Sequence, residues 1–233
     1  MSATYGPEQA EHHDELLQTV RDQVVIISVR TGLREPEVDL VRLFKLRRPT
    51  INAHFWMPSG VPTITITERA VRELSHDALR FMLTHEFGHF AHWDFRQRGW
   101  RRYVGISVLG ASILVIGFVL LIGSISSGDF GLGQRVFGTG ALIAVGGFLA
   151  LRAHCRVDEY KVDDYAARQT DDLPAAREFF TALEKDRPPS RLGRVTRMWD
   201  DHPPLRDRLE AVQRPVHNER PAIHHATTPL DLT

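Results

Sequence analysis

His85-Glu86-Phe87-Gly88-His89 is the stretch on which the reading of this chain turns. It lies within a helical pattern, Asp77 to about Phe95, that Leu79, Met82, Leu83 and Phe90 anchor in a core. Residues four apart on a helix project from one face, so both imidazoles can grip a single ion. Glu86 is one step round from them, beside that ion, where a carboxylate can take a proton from water. A bound Zn²⁺ lowers the pKa of a coordinated water from about 15.7 to about 7. The plain alternative is an exposed helix that happens to carry two histidines.

A chain of 233 residues fits one domain, or one domain carrying an insertion. Its 29 Lys and Arg balance 29 Asp and Glu, so no charge excess points to nucleic acid as a partner. The single cysteine, Cys155, excludes an internal disulfide framework and suits a reducing compartment. Residues 1–14 are polar, read as flexible, and lack the apolar centre of a secretory signal.

A mean hydropathy slightly below zero hides two apolar runs. No charged residue falls between Val104 and Ile125, nor between Val136 and Leu151. The first run is long enough to cross a hydrocarbon core, which takes about 20 helical residues. The second is at the short end and leans on Arg135 and Arg152 reaching to the interface. Gly117, Gly123, Gly138, Gly140, Gly146 and Gly147 are more than a soluble helix pair carries, and they suit a membrane pair. Gly140 with Ala144, and Gly146 with Ala150, offer small faces for close approach. The reading is a transmembrane helical hairpin at 104–152; the alternative is a buried hairpin in a soluble protein. Arg96, Arg98, Arg101 and Arg102 precede it, and Arg152 and Arg156 follow, whereas the connector holds one Asp and one Arg. The positive-inside rule then places the histidine motif and both termini on the cytoplasmic side of an inner or plasma membrane.

Before the motif, Glu15 to Gly32 has a helical pattern of Leu16, Leu17, Val20, Val24 and Ile27. Glu35-Pro36-Glu37 marks a turn, and Val38 to Leu46 reads as a short strand or helix. Ile51 to Trp56 and Pro62 to Thr67 read as two strands around a Pro58-Ser59-Gly60 turn, an antiparallel hairpin. Pro62 cannot donate to a ladder and so favours an edge. An open edge beside a catalytic helix is where an extended peptide can add itself as a strand. Thr67 and Ser75 are N-caps for two successive helices, the second carrying the motif. His76 and His92 read as surface or capping residues rather than ligands.

A catalytic zinc site takes a third protein ligand and leaves one position for water. Past the hairpin, Glu159 and Asp163 share a helix face at four-residue spacing. Glu159 is the choice for the ligand, and Asp163 is placed to accept the outer N–H of a ligating histidine. A solvated acidic helix face is the alternative. A helix at Ala175 to Lys185, a loop at Arg187-Pro188-Pro189, and His202-Pro203-Pro204 with its rigid backbone follow; residues 214–233 read as a loose tail.

Ile51-Asn52-Ala53, the Pro62 to Thr67 strand, His85-Glu86-x-x-His89, Glu159-x-x-x-Asp163 and His202-Pro203-Pro204-x-x-x-Arg208, in this order, resemble the HtpX and CAAX-prenyl endopeptidase type of membrane zinc metallopeptidase. The resemblance spans about residues 16 to 212. It implies a mainly helical, gluzincin-like α+β fold with a small antiparallel edge sheet, split into halves at 15–103 and 153–213 by the inserted hairpin. It implies one zinc per chain on His85, His89 and Glu159, Glu86 as general base, and Asp163 beside the ligands. His202 becomes a transition-state or gating group and Arg208 a nearby structural cation. Asn52, Ala53, Thr63, Ile64 and Thr65 become the substrate edge, and membrane-associated polypeptides become the substrates, in clearance of damaged membrane proteins, with processing of a dedicated partner equally open. Two departures stand out: the type usually carries membrane helices before the motif as well, and Asp201 precedes His202 where a small hydroxyl residue is commoner. A zinc-stabilised scaffold without turnover, its closed site drawing on Cys155 or another histidine, is the rival from another class.

Overall fold

A computed structural model describes residues 7–41, 50–124, 130–186 and 202–214. Helix α1 (Pro7–Thr31) buries the expected stripe, with Val20 and Val24 fully covered, and ends at Gly32, whose φ of +68° stops the helix. The helix starts at Pro7, so residues 7–14 belong to it. His13 Nδ1, 2.9 Å from Glu68 Oε1, docks that end.

Strands β1 (Glu37–Val41), β2 (Ala53–Trp56) and β3 (Thr63–Thr67) form a mixed sheet in the order β1-β3-β2. β2 and β3 pair antiparallel as the hairpin reading requires, but β1 adds itself parallel on the far side of β3. The expectation of an edge at Pro62 to Thr67 is therefore corrected. β3 is the central strand, and Ile64 and Ile66 are fully buried. Pro62 lies just outside it and uses its carbonyl, accepting from Glu37 N–H at 2.8 Å. Alternation in Thr63 to Thr67 specifies a strand; it does not name a parallel neighbour, which leaves no turn signature behind.

Thr67 Oγ1 accepts from Ala70 N–H and Ser75 Oγ from Ala78 N–H, so both expected caps form. They start α2 (Glu68–Glu73) and α3 (His76–Ala91). The motif helix ends earlier than expected, at His92, whose backbone is not helical, and α4 (Trp93–Gly123) follows. Helix α5 (Gly131–Thr170) is unbroken, and α6 (Leu173–Asp186) and α7 (Leu205–Gln213) close the fold. The core lies between α1, the sheet, α3 and α6, around Phe55, Ile64, Phe81, Met82, Leu83, Phe87, Phe179 and Phe180. Expectations for 1–6, 42–46, 187–189, the centre of the connector, Asp201 and the tail from 215 lie outside the described residues.

The two apolar runs are long helices packed antiparallel, each long and apolar enough to cross a membrane. Gly110 meets the backbone of Ala144, Gly117 that of Phe137 and Gly140 that of Leu114, so a Cβ at any of them would collide. The Gly140 and Ala144 face thus packs as expected. Gly146 does not: it is exposed with nothing near it, and Gly147 takes the inward place against Ser107. α4 and α5 continue without a break from the apolar runs into the segments that carry Arg96, Glu159 and Asp163.

Where α3 crosses α5, a Cβ on Gly88 would lie 2.8 Å from Val162 Cβ, within a buried contact. Gly88→Ala should push the helices apart and cost about 1–3 kcal/mol in denaturant unfolding. Gly105→Ala, at a helical position with open space around it, should cost nothing. Equal effects would contradict this packing.

Candidate metal centre

The crossing of α3 and α5 sets the site. Helical spacing puts His85 and His89 on the face of α3 that meets α5, and Glu159 faces both from α5. His85 Nε2 lies 3.8 Å from Glu159 Oε2 and His89 Nε2 lies 3.6 Å from Glu159 Oε1. These side chains are buried, and one ligand atom from each falls within 4.8 Å of the others. Tetrahedral Zn–N and Zn–O bonds of about 2.0–2.2 Å put neighbouring donors roughly 3.3–3.5 Å apart. Two imidazoles and a carboxylate aimed at one point, a little wider than that and with no hydrogen bond between them, fit a metal ion. Among the described residues no other group of His, Cys, Asp or Glu converges in this way.

The surroundings fix each member. Glu86 Oε2 accepts from Phe55 N–H of β2 at 2.7 Å, so the sheet holds the expected base against the site. Asp163 Oδ1 is 2.9 Å from His85 Nδ1, the outer nitrogen, as expected of a histidine-orienting carboxylate. Arg208 from α7 donates to both Asp163 oxygens at 2.7 Å, and its third nitrogen is 3.1 Å from Glu159 Oε2. His202, half exposed at the cleft mouth, has Nδ1 at 3.1 Å from Glu159 Oε1.

Electrostatics follow these contacts. Burial pushes the Glu159 carboxyl up, but the His202 hydrogen bond and the Arg208 charge outweigh it and hold Glu159 well below its usual range. Burial likewise raises Asp163, and Arg208 and His85 bring it below 3.8. Burial lowers His85, yet Asp163 leaves its pKa raised. Both carboxylates are thus ionised at neutral pH, the form in which Glu159 could bind a metal ion.

These residues line or underlie one cleft of about 760 Å³, with Asn52, Ala53 and His54 of the β2 side on one wall and Trp100, His154 and Cys155 at the foot of the hairpin. Asn52 and Ala53 line the cleft. Thr63, Ile64 and Thr65 do not, because β3 is covered by β2. The outer edge of β2 faces Glu86 and pairs with no strand among the described residues. His76 and His92 stay out of the cleft lining, as expected. Sequence reasoning missed Asp158, whose Oδ2 is 3.3 Å from His89 Nδ1, and also His54 and Arg96 in the cleft wall. Asp158 adjoins Glu159 in sequence, which was the available signal.

A histidine pair with a glutamate between them, and a second glutamate from a later helix, now stand in one cleft. The chain matches peptidase family M48 over residues 13–216. It belongs to that family. No curated protein and no solved structure gave a match. As an M48 member the chain is a metallopeptidase, and the His85, His89 and Glu159 cluster could hold a metal ion.

Arg208 is buried against two carboxylates, so Arg208→Ala should cost about 3–5 kcal/mol in the metal-free protein at pH 7, by leaving buried charge unpaired. The sign with pH is fixed by the lowered Asp163. Its stabilising contribution is complete above the ordinary value of 3.8 and is lost as pH falls below it. Denaturation against pH should therefore show wild type and Arg208→Ala converging below about pH 4. A gap that persists there would contradict the pairing.

Proposed function

We propose that this M48 metallopeptidase is a membrane-anchored zinc endopeptidase of the HtpX type that cleaves polypeptides at the cytoplasmic face. The observation that carries the reading is the convergence of His85, His89 and Glu159 beside a Glu86 tethered by a sheet edge. Zinc held there would acidify water and polarise a peptide carbonyl. Glu86, within the same cleft, takes the proton from the attacking water and passes it to the leaving amine. The outer edge of β2, with Asn52 and Ala53, receives the substrate as an added extended strand. His202 at the mouth is within reach of charge developing on the carbonyl oxygen, and Arg208 keeps Glu159 and Asp163 ionised.

The membrane part of the reading is supported by what the hairpin leaves uncovered. Leu109, Val115, Val119, Ile122, Leu142, Val145 and Leu149 are all more than half exposed, and only 11% of the most apolar window of each helix is buried. A soluble protein would cover these side chains. The arginines at the inner ends favour the cytoplasmic side for the cleft. Membrane-associated polypeptides fit as substrates, since the cleft reaches Trp100 and His154 at the foot of the hairpin. Clearance of damaged membrane proteins is the role this placement suits. The scaffold reading is disfavoured because Cys155 lines the cleft without joining the ligand cluster.

Glu86→Gln removes the base and leaves all three ligands. Detergent-purified wild type and variant should both carry one zinc, with casein cleavage lowered by about 10²–10⁴-fold in the variant. Cleavage retained by Glu86→Gln, or absence of zinc from folded wild type, would overturn the reading. Alkaline carbonate should leave the full chain in the membrane pellet; release into the supernatant would contradict the anchor.

A further inference from the structure

We infer that Asp158 positions the metal ligand His89, so that each motif histidine is oriented by its own carboxylate from α5. The inference rests on the peptidase reading of this site and goes beyond it. Asp163, five residues further along α5, has Oδ1 2.9 Å from the outer nitrogen of His85. His89 has the same requirement, because a ligating imidazole needs its second N–H held by an acceptor to fix tautomer and ring orientation. Its Nδ1 is buried and makes no hydrogen bond, and the acidic group facing it is Asp158, with Oδ2 at 3.3 Å.

Asp158 is itself 3% exposed, and its Oδ1 has no hydrogen-bond partner. A carboxylate is costly to bury in that condition unless it serves an interaction. Its other neighbour is Arg96 of α4, whose Nε stands 3.8 Å from the same Oδ2. That contact is longer than the one to His89, and it explains the charge balance of Asp158 without using its aim. A small rotation of the carboxyl or the imidazole completes the hydrogen bond to Nδ1. Helix geometry supplies the arrangement: Glu159 projects toward both Nε2 atoms, and its neighbour Asp158, about 100° away, reaches round to the back of His89. Arg96 then ties this positioning carboxylate to the helix that carries the first apolar run.

The test is zinc affinity by chelator competition on the detergent-purified full chain at one pH. It compares wild type with Asp158→Ala, Asp158→Asn and Arg96→Ala. Cobalt-substituted absorption spectra of each report the ligand geometry, and unfolding of the metal-free forms serves as a control. Asp158→Ala should weaken zinc binding about 10–100-fold and shift the cobalt bands. Asp158→Asn, which keeps an acceptor oxygen in the same shape, should fall between Ala and wild type. Arg96→Ala should change affinity less than either. Zinc affinity within twofold of wild type in both Asp158 variants would overturn the inference, and so would an Arg96→Ala loss equal to that of Asp158→Ala. If the Ala variant does not fold, the isosteric Asn variant decides by the same twofold criterion. A wild type that binds no zinc would overturn the peptidase reading itself, a separate outcome from zinc-loaded protein indifferent to Asp158.

Discussion

Asp163 is the carboxylate on which the architecture around the site depends. It is fully buried, and it joins three helices: its own α5, α3 through His85, and α7 through both arms of Arg208. A carboxylate with no access to water is tolerated only when every oxygen is engaged, and here each one is. The same contacts fix the tautomer of His85, hold Arg208 against Glu159, and seat the segment that presents His202. Stability and chemistry are therefore built from one set of bonds. The glycine at 88 is the steric counterpart, since it lets α3 and α5 approach closely enough for those bonds to form.

The two long helices give this core its second feature. α4 starts where the motif helix ends at His92, and α5 runs unbroken from the second apolar run to Glu159 and Asp163. A helix transmits position along its axis because its backbone bonds are internal to it. The distance between Glu159 and the first turn of the apolar run is thus fixed by helix rise rather than by a linker. The cleft opens beside Trp100 and His154, at the level where the charged ends give way to apolar surface.

Much of the site was legible in the sequence because its logic is periodic. His85 and His89, and again Glu159 and Asp163, are four apart, and the helices that carry them do place each pair on one face. The caps at Thr67 and Ser75 were legible for the same reason, an accepting side chain and its backbone donor lying three residues apart. What escaped depended on contacts between elements far apart in the chain. β1 pairs with β3 in parallel, and nothing local to Val38 to Val41 announces its partner. The break at His92 has no glycine or proline to mark it. Gly146 and Gly147 differ by one residue, a 100° turn that exchanges the outer face for the packed one. Asp158 lies on an acidic stretch whose default reading is a solvated face, and only its burial against His89 separates it from that default.

The central claim is that His85, His89 and Glu159, without Cys155, hold one zinc. Zinc-edge X-ray absorption of the zinc-loaded, detergent-purified wild type tests it directly. The account predicts a first shell of nitrogen and oxygen at about 2.0–2.2 Å, outer scattering from two imidazoles, and no sulfur. A sulfur neighbour at about 2.3 Å would place Cys155 on the metal and contradict it.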